Sequence, residues 1–241
     1  MDRFERYIEK TNRAKTPEEL FSVFSETLGQ YGYDRIHFGL LTDHQDMGLK
    51  AGIGILENYP SDWMKYYFEN AFDKIDPVVV YATQQDEAFA WEDIGKHIRL
   101  HPKQIKCLNL GREAGLHNGV GVPLWGPGQQ VAGIGLASSE KKDACRFDAD
   151  LITAFCNQFY LVYRRLHKKK RPPPENIVLS PREREVLIWA AAGKSDEEIG
   201  AILLLSKHTV NMHFRNIYKK IGVNNRILAI TKGLSLGLIR R

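Results

Sequence analysis

The stretch SPREREVLIWAAAGKSDEEIGAILLLSKHTVNMHFRNIYKKIG, residues 180–222, decides how the chain is organised. It opens on Ser180-Pro181-Arg182-Glu183, a Ser-x-x-Glu capping box with proline at the first helical position, and Ser195-Asp196-Glu197-Glu198 repeats that logic. A third helix start falls at Ser206, and a fourth helix is expected from about Asn225 to Leu236. Four short helices with tight turns make a small all-α unit. Only LLLS (203–206) separates the second helix from the third, as in a helix-turn-helix.

The third helix carries the chemistry. Val210, Phe214, Ile217 and Ile221 recur at i, i+4, i+7 and i+11 and predict a buried stripe. His208, Asn211, Met212, Arg215 and Lys219 fall on the opposite face. That face mixes base-reading side chains with phosphate-seeking ones, the combination a helix needs in a DNA major groove. An ordinary solvated helix face would look similar, so charge is the arbiter. From Arg164 onward there are 17 Lys/Arg against 6 Asp/Glu, leaving 17 basic and 23 acidic residues in 1–163. An acidic front and a basic back predict two domains, of which only the second meets a polyanion.

The boundary is written in RRLHKKKRPPPEN (164–176), where a basic run meets three prolines that cannot continue a helix. We expect a front domain over 1–165, a basic, Pro-rich linker over 166–176 and the all-α domain over 177–241. Ahead of the linker, Leu151, Phe155, Phe159, Val162 and Leu166 share one face of a long helix, either as core packing or as a dimer seam. Thr16-Pro17 with Glu19 opens a helix that buries Leu20, Phe21, Phe24 and Leu28. RIHFGLLT (35–42) and AGIGIL (51–56) predict short strands. GVGVPLWGPGQQVAGIGLAS (119–138) predicts two more around a turn at 126–128, and HPKQIKCLNLGREAGL (101–116) a helix. Without a regular βαβ alternation, this order predicts an α/β sandwich with an antiparallel sheet, followed by the four-helix helix-turn-helix domain.

Other classes find little support. No run approaches the ~18–20 apolar residues of a membrane span, and the opening MDRFERYIEK lacks the apolar stretch of a secretory signal. Cys107, Cys145 and Cys156 show no ligand spacing, which fits a reducing cytoplasm, no membrane association and no structural metal. There is no GxSxG, no HxxE-type metal site and no Cys/His pair to suggest a hydrolase.

Residues 179–239 strongly resemble the LuxR-type helix-turn-helix. The matching residues are Arg-Glu-Arg-Glu-Val-Leu (182–187), Ala-x-Gly-Lys-Ser (191–195), Glu-Ile (198–199), Thr-Val-x-x-His (209–213), Asn216 and Gly-Leu-Ile (237–239). The resemblance implies that Asn211, Met212 and Arg215 read bases, while Lys207, His208, Thr209 and Lys219 contact phosphates. His213 stands equally as a packed or capping residue. Glu185, Leu187 and Gly193 match positions read as structural.

The front domain lacks the acidic pair and phospho-acceptor of a receiver domain. Over roughly 15–165 it resembles the autoinducer-binding domain of quorum-sensing LuxR-type receptors. Trp63-x-x-x-Tyr67, Asp76-Pro77, Trp91, and GLHNGVGVPL (115–124) with Gly119 and Pro123 carry the match. An N-acyl-homoserine lactone offers a lactone carbonyl, an amide and an apolar tail. The resemblance assigns the lactone carbonyl to Trp63, the amide N–H to Asp76 and the amide carbonyl to Tyr59, with Tyr67 and Trp91 as apolar walls. Gly119 would allow close backbone approach, and Gly121, Gly133 and Gly135 would leave volume for an acyl chain. Gly135 stands where many relatives carry Ser or Thr, with Thr42 and Ser138 as candidate substitutes. Apart from the family, Trp63 and Trp91 also read as core and Asp76 as a helix cap.

The whole chain then reads as a cytoplasmic regulator of transcription. Its expected partners are a small-molecule autoinducer, a double-stranded DNA operator, a second copy of the chain in a homodimer, and RNA polymerase as a further candidate; no cofactor is required. The alternative is a LuxR-type regulator that senses a non-lactone signal or acts without ligand, its front domain serving dimerisation or a protein partner.

Overall fold

The computed structural model describes residues 3–141, 148–167 and 177–239; Cys145 and residues 168–176 of the expected linker lie outside them. The described chain divides into two compact units, one of residues 3–126 and 130–167, the other of 177–239 with 127–129.

The first unit begins with α1 (Arg3–Arg13) and α2 (Pro17–Gly29). Thr16 caps α2, its side chain accepting from Glu19 N–H. Then come β1 (Arg35–Leu40), β2 (Gly52–Glu57), α3 (Ser61–Glu69) and α4 (Pro77–Ala82). After β3 (Phe89–Ala90) and a 3-10 turn at Trp91–Asp93 come α5 (Ile94–His97) and α6 (Pro102–Glu113). β4 (His117–Trp125), β5 (Val131–Ser138) and α7 (Ala149–His167) complete it. The strands form one antiparallel sheet, as the sequence predicts, in the order β2-β1-β5-β4-β3, with β3 an added strand the sequence did not mark.

Strand alternation sorts the two faces. Ile36, Phe38 and Leu40 of β1 pair with Leu136, Ile134 and Ala132 of β5, which pair with Val120, Val122 and Leu124 of β4. These nine residues are buried in one core with Tyr7, Leu20, Phe24 and Leu28 of α1 and α2. Phe155, Phe159 and Val162 of α7 are buried there too, so the stripe expected on this helix is core packing in this unit. Rings interlock within it: Phe38 meets Phe159 edge-on at 5.1 Å, and Tyr7 Oη donates to Phe155 O at 3.1 Å. The intervening residues form the opposite face. One row runs Glu57, His37, Gly135, Gly121, Phe89, and the next runs Gly39, Gly133, Pro123. A face so poor in side chains leaves room for a second cluster, from α3 and α6, with Trp63, Met64, Tyr67, Phe72, Cys107 and Leu116 at its centre.

The second unit has four helices: α8 (Pro181–Ala191), α9 (Asp196–Leu203), α10 (Lys207–Ile221) and α11 (Arg226–Ser235). Ser180 with Glu183 and Ser195 with Glu198 form full capping boxes, and Ser206 and Asn225 cap the other two. Leu203 belongs to α9, so the turn is Leu204-Leu205-Ser206, one residue shorter than read from sequence. Leu204 takes the left-handed conformation at φ 56°, which lets Leu205 N–H reach back to Gly200 O at 2.8 Å. Val210, Phe214, Ile217 and Ile221 are buried against Val186, Leu187, Ile199 and Ala229.

Candidate functional site

Between the glycine-rich sheet face and α3, α4 and α6 lies a cavity of ≈ 80 Å³. Tyr59, Trp63, Tyr67, Asp76, Trp91 and Gly135 line it together with His37, Cys107 and a set of aliphatic side chains. Six of the seven expected ligand residues therefore converge on one site. Leu41, Ile53, Val78, Val79 and Ala82 also line it and supply apolar wall.

Gly119, the seventh, is seated behind the wall. A Cβ there would fall 1.9 Å from Trp91 Cε3, so its close approach is to the indole. Gly121 behaves likewise, its missing side chain being replaced by the Phe89 ring, and Leu41 lies over Gly133. Gly121 and Gly133 both line the cavity, with the Phe89 ring and Leu41 packed beside them. The two candidate substitutes for a hydroxyl at position 135 are engaged elsewhere. Thr42 Oγ1 accepts from Val131 N–H at 2.9 Å, and Ser138 Oγ accepts from Glu140 N–H at 3.2 Å.

Asp76 is both helix cap and pocket carboxylate. Its Oδ1 accepts from Val78 N–H at 2.8 Å, the cap of α4, and its Oδ2 accepts from the Tyr67 hydroxyl at 2.8 Å. Tyr67 is therefore a polar partner of the acid as well as a wall. Burial raises the Asp76 carboxyl above the usual carboxylate range, opposed by hydrogen bonds from Tyr67 and Val78. Burial, with Asp76 adding to it, also holds the Tyr59 and Tyr67 phenols well above their ordinary value, so both stay protonated donors. Tyr59 Oη and Trp91 Nε1 are buried and have no hydrogen-bond partner among the described residues. His37 faces the same cavity in one tautomer. Its Nε2 accepts from Gly54 N–H at 3.0 Å, so Nδ1–H donates to Glu57 at 2.8 Å. The sequence reading passed over His37. Its place opposite Gly135 in the ladder is a tertiary fact, although alternation along β1 puts it on the glycine face.

In the second unit His208, Asn211, Met212, Arg215 and Lys219 are all exposed on α10. Lys207 is ion-paired with Glu197. Thr209 is drawn into the cap, its N–H donating to Ser206 Oγ at 3.0 Å and its hydroxyl 2.8 Å from the same oxygen. Asn211 Nδ2 donates to Lys207 O at 3.2 Å. Glu183, the capping-box residue expected from the sequence, is the more deeply seated of the two glutamates on α8. Glu183 is buried, completes the Ser180 box and pairs with Lys220 at 2.7 Å, while Glu185 is half-exposed and pairs with Arg182 one turn away. Glu183 lies i, i+3, i+4 and i+7 from Val186, Leu187 and Ala190, a stripe legible in the sequence. Arg226 ties α11 to the motif by pairing with Asp196 and lying 4.5 Å over the Phe214 ring.

Among the described residues no group of His, Cys, Asp and Glu could hold a metal ion, and no helix is long and apolar enough to cross a membrane. Residues 16–161 match the family model described as "Autoinducer binding domain", and residues 177–232 match "Bacterial regulatory proteins, luxR family". The transcriptional activator protein EchR of Dickeya chrysanthemi is 32% identical over 197 residues, covering 77% of this chain and 78% of EchR. The transcriptional activator protein VanR of Vibrio anguillarum is 29% identical over 245 residues, covering 97% and 96%. In fold the chain is similar to the crystal structure of SdiA from Escherichia coli, with a TM-score of 0.64, 24% identity, and 99% and 98% of the two chains covered.

Proposed function

The chain belongs to the LuxR family of transcription regulators that carry an autoinducer-binding domain, and from that premise we propose that its signal is an N-acyl-homoserine lactone. Asp76 takes the signal's amide N–H, Tyr59 the amide carbonyl and Trp63 the lactone carbonyl, with Tyr67 holding the acid in place. The observation that carries this reading is Asp76 itself. A buried carboxylate in a largely apolar cavity costs several kcal/mol unless it is matched. Two hydrogen bonds use only half of the roughly four lone-pair sites it offers, which leaves acceptor capacity for an N–H.

Ligand binding would complete the core of the first unit. The cavity is smaller than the ~150 Å³ that admits benzene, so an acylated lactone must move its walls, and binding and ordering are linked by mass action. The DNA target we propose is an inverted-repeat operator bound by a homodimer, with half-sites ~34–36 Å apart. Asn211, Met212 and Arg215 would reach base edges, and Lys207, His208, Thr209 and Lys219 the backbone. RNA polymerase is the partner through which such a dimer would act on transcription, in the cytoplasm.

Mass spectrometry of small molecules extracted from the purified protein tests the ligand class, and a homoserine-lactone ion is the expected result. Asp76→Ala and Trp63→Ala should each abolish the transcriptional response to added lactone. An unchanged response would end the pocket assignment, and full operator binding by ligand-free protein would favour a ligand-independent regulator.

A further inference from the structure

Two donors in the cavity wall are buried with no partner among the described residues: the Tyr59 hydroxyl and the Trp91 indole N–H. Buried polar groups are almost always hydrogen-bonded, so each such exception calls for a cause. The two lie at the same place. A Cβ built on Gly135 would come 2.8 Å from Tyr59 Oη and 3.5 Å from Trp91 Cζ2. In an indole, Cζ2 and Nε1 are bonded to the same ring carbon, so the N–H lies on the edge turned toward Gly135. The opposite edge is pinned on the Gly119 backbone, where a Cβ would fall 1.9 Å from Cε3 and 2.6 Å from Cζ3. That seating fixes the ring's direction.

We propose that Trp91 is a hydrogen-bond donor to the signal, and that Trp91 Nε1–H and the Tyr59 hydroxyl together hold the signal's amide carbonyl oxygen over Gly135. The inference deepens the lactone reading and rests on it. A carbonyl oxygen has two lone pairs and accepts two donors. Asp76, in the same cavity, accepts the neighbouring N–H. The site is then an amide reader, with an acceptor for N–H on one side and two donors for C=O on the other, and its ligand class is a secondary carboxamide. A Cβ at position 135 would come 2.8 Å from the Tyr59 hydroxyl, so the hydroxyl holds this place only beside a glycine. The hydroxyl that a Ser or Thr would have offered there is replaced by the indole N–H.

The test replaces Trp91 by β-(3-benzothienyl)alanine, which puts sulfur in place of the N–H at nearly constant shape. The probes are N-octanoyl-homoserine lactone and its thioamide, where a poorly accepting sulfur replaces the amide oxygen and the N–H is kept. We expect the substitution to weaken the amide roughly three- to tenfold, the net worth of one hydrogen bond, and the thioamide less than about twofold. In protein carrying 15N-labelled tryptophan, the indole signal missing from the substituted protein should move downfield with the amide and not with the thioamide. Equal weakening of both probes, or a stationary indole signal, overturns the role of Trp91 while leaving the lactone reading intact. Wild-type protein that binds neither probe overturns both.

Discussion

The Tyr67 hydroxyl donates to Asp76 Oδ2 across 2.8 Å, nine residues apart in sequence, inside an otherwise largely apolar cavity. The acid is held at a cost. Its carboxyl is raised from the ordinary 3.8 chiefly by burial, so the folded state binds the proton more tightly than the unfolded chain. Stability from this group is complete below pH 3.8 and is lost as pH rises through the folded value. Asp76→Asn should therefore make the ligand-free protein more stable at neutral pH, by about 1 kcal/mol or 2–4 °C. Its advantage should vanish on acidification, and its response to lactone should be lost. Melting curves of both proteins from pH 4 to 8 check this; a variant less stable than wild type at every pH would contradict it.

Tyr67→Phe has the opposite sign. It strips a donor from a buried carboxylate and should cost about 1–3 kcal/mol at neutral pH. In the Asp76→Asn background the same change removes a neutral hydrogen bond, worth about half as much. Urea unfolding of the four proteins closes the double-mutant cycle, and a coupling near zero would show that the contact carries no energy.

Gly119→Ala should act through Trp91. The new methyl meets the indole at 1.9 Å, far inside van der Waals contact, so the ring must leave its seat. Expected losses are about 1–3 kcal/mol of stability, typical of overpacking, together with lactone binding. Gly115→Ala controls for the region, since its Cβ has open space but a φ of +88°, and should cost stability without moving Trp91 or changing affinity in a titration followed by tryptophan fluorescence.

These cases show which parts of the molecule could be read from sequence. Ser180, Ser195, Ser206 and Asn225 cap their helices by bonds spanning three residues, so the helix-turn-helix was visible locally. The α10 stripe was visible for the same reason. Tyr59, Trp63 and Asp76 could be collected through the family resemblance, but not the Tyr67–Asp76 bond, which depends on how α3 and α4 pack. The orphaned Trp91 N–H left no signal at all, because nothing in a sequence tells which edge of an indole faces a glycine on another strand. Glu183 was legible as the capping-box residue, but its ion pair with Lys220, 37 residues away, was not.

Glu183 has its own pH signature. Burial alone would raise its carboxyl, but Lys220 and the Ser180 cap outweigh burial and hold it below 4.5. A depressed acid contributes stability above pH 4.5 and loses it as pH falls through the folded value. With Lys220 partly exposed, Glu183→Gln should cost about 1–2 kcal/mol at neutral pH and flatten the acid limb of the second unit's stability. Amide hydrogen exchange in α8 and α10 reads this in the full chain, and unchanged protection would refute it.

On α10 the residues proposed to read bases and those proposed to bind phosphate should separate under salt. Lys219 is exposed and offers a phosphate contact; Lys219→Ala should weaken every sequence alike and reduce the slope of log K against log salt by about 1. Asn211 must exchange its weak bond to Lys207 O for a base edge, and its value lies in that choice. Asn211→Ala should lose about 1–3 kcal/mol on the preferred operator, relax the preference at one base pair, and leave the salt slope unchanged. Glu197→Gln frees Lys207 from its ion pair and removes a negative charge near the backbone, so it should tighten binding and steepen the slope. Fluorescence anisotropy at several salt concentrations, on the operator and on single-base variants, measures all three. If Asn211→Ala changed the slope and spared the specificity, the assignment of the two sets of side chains would have to be exchanged.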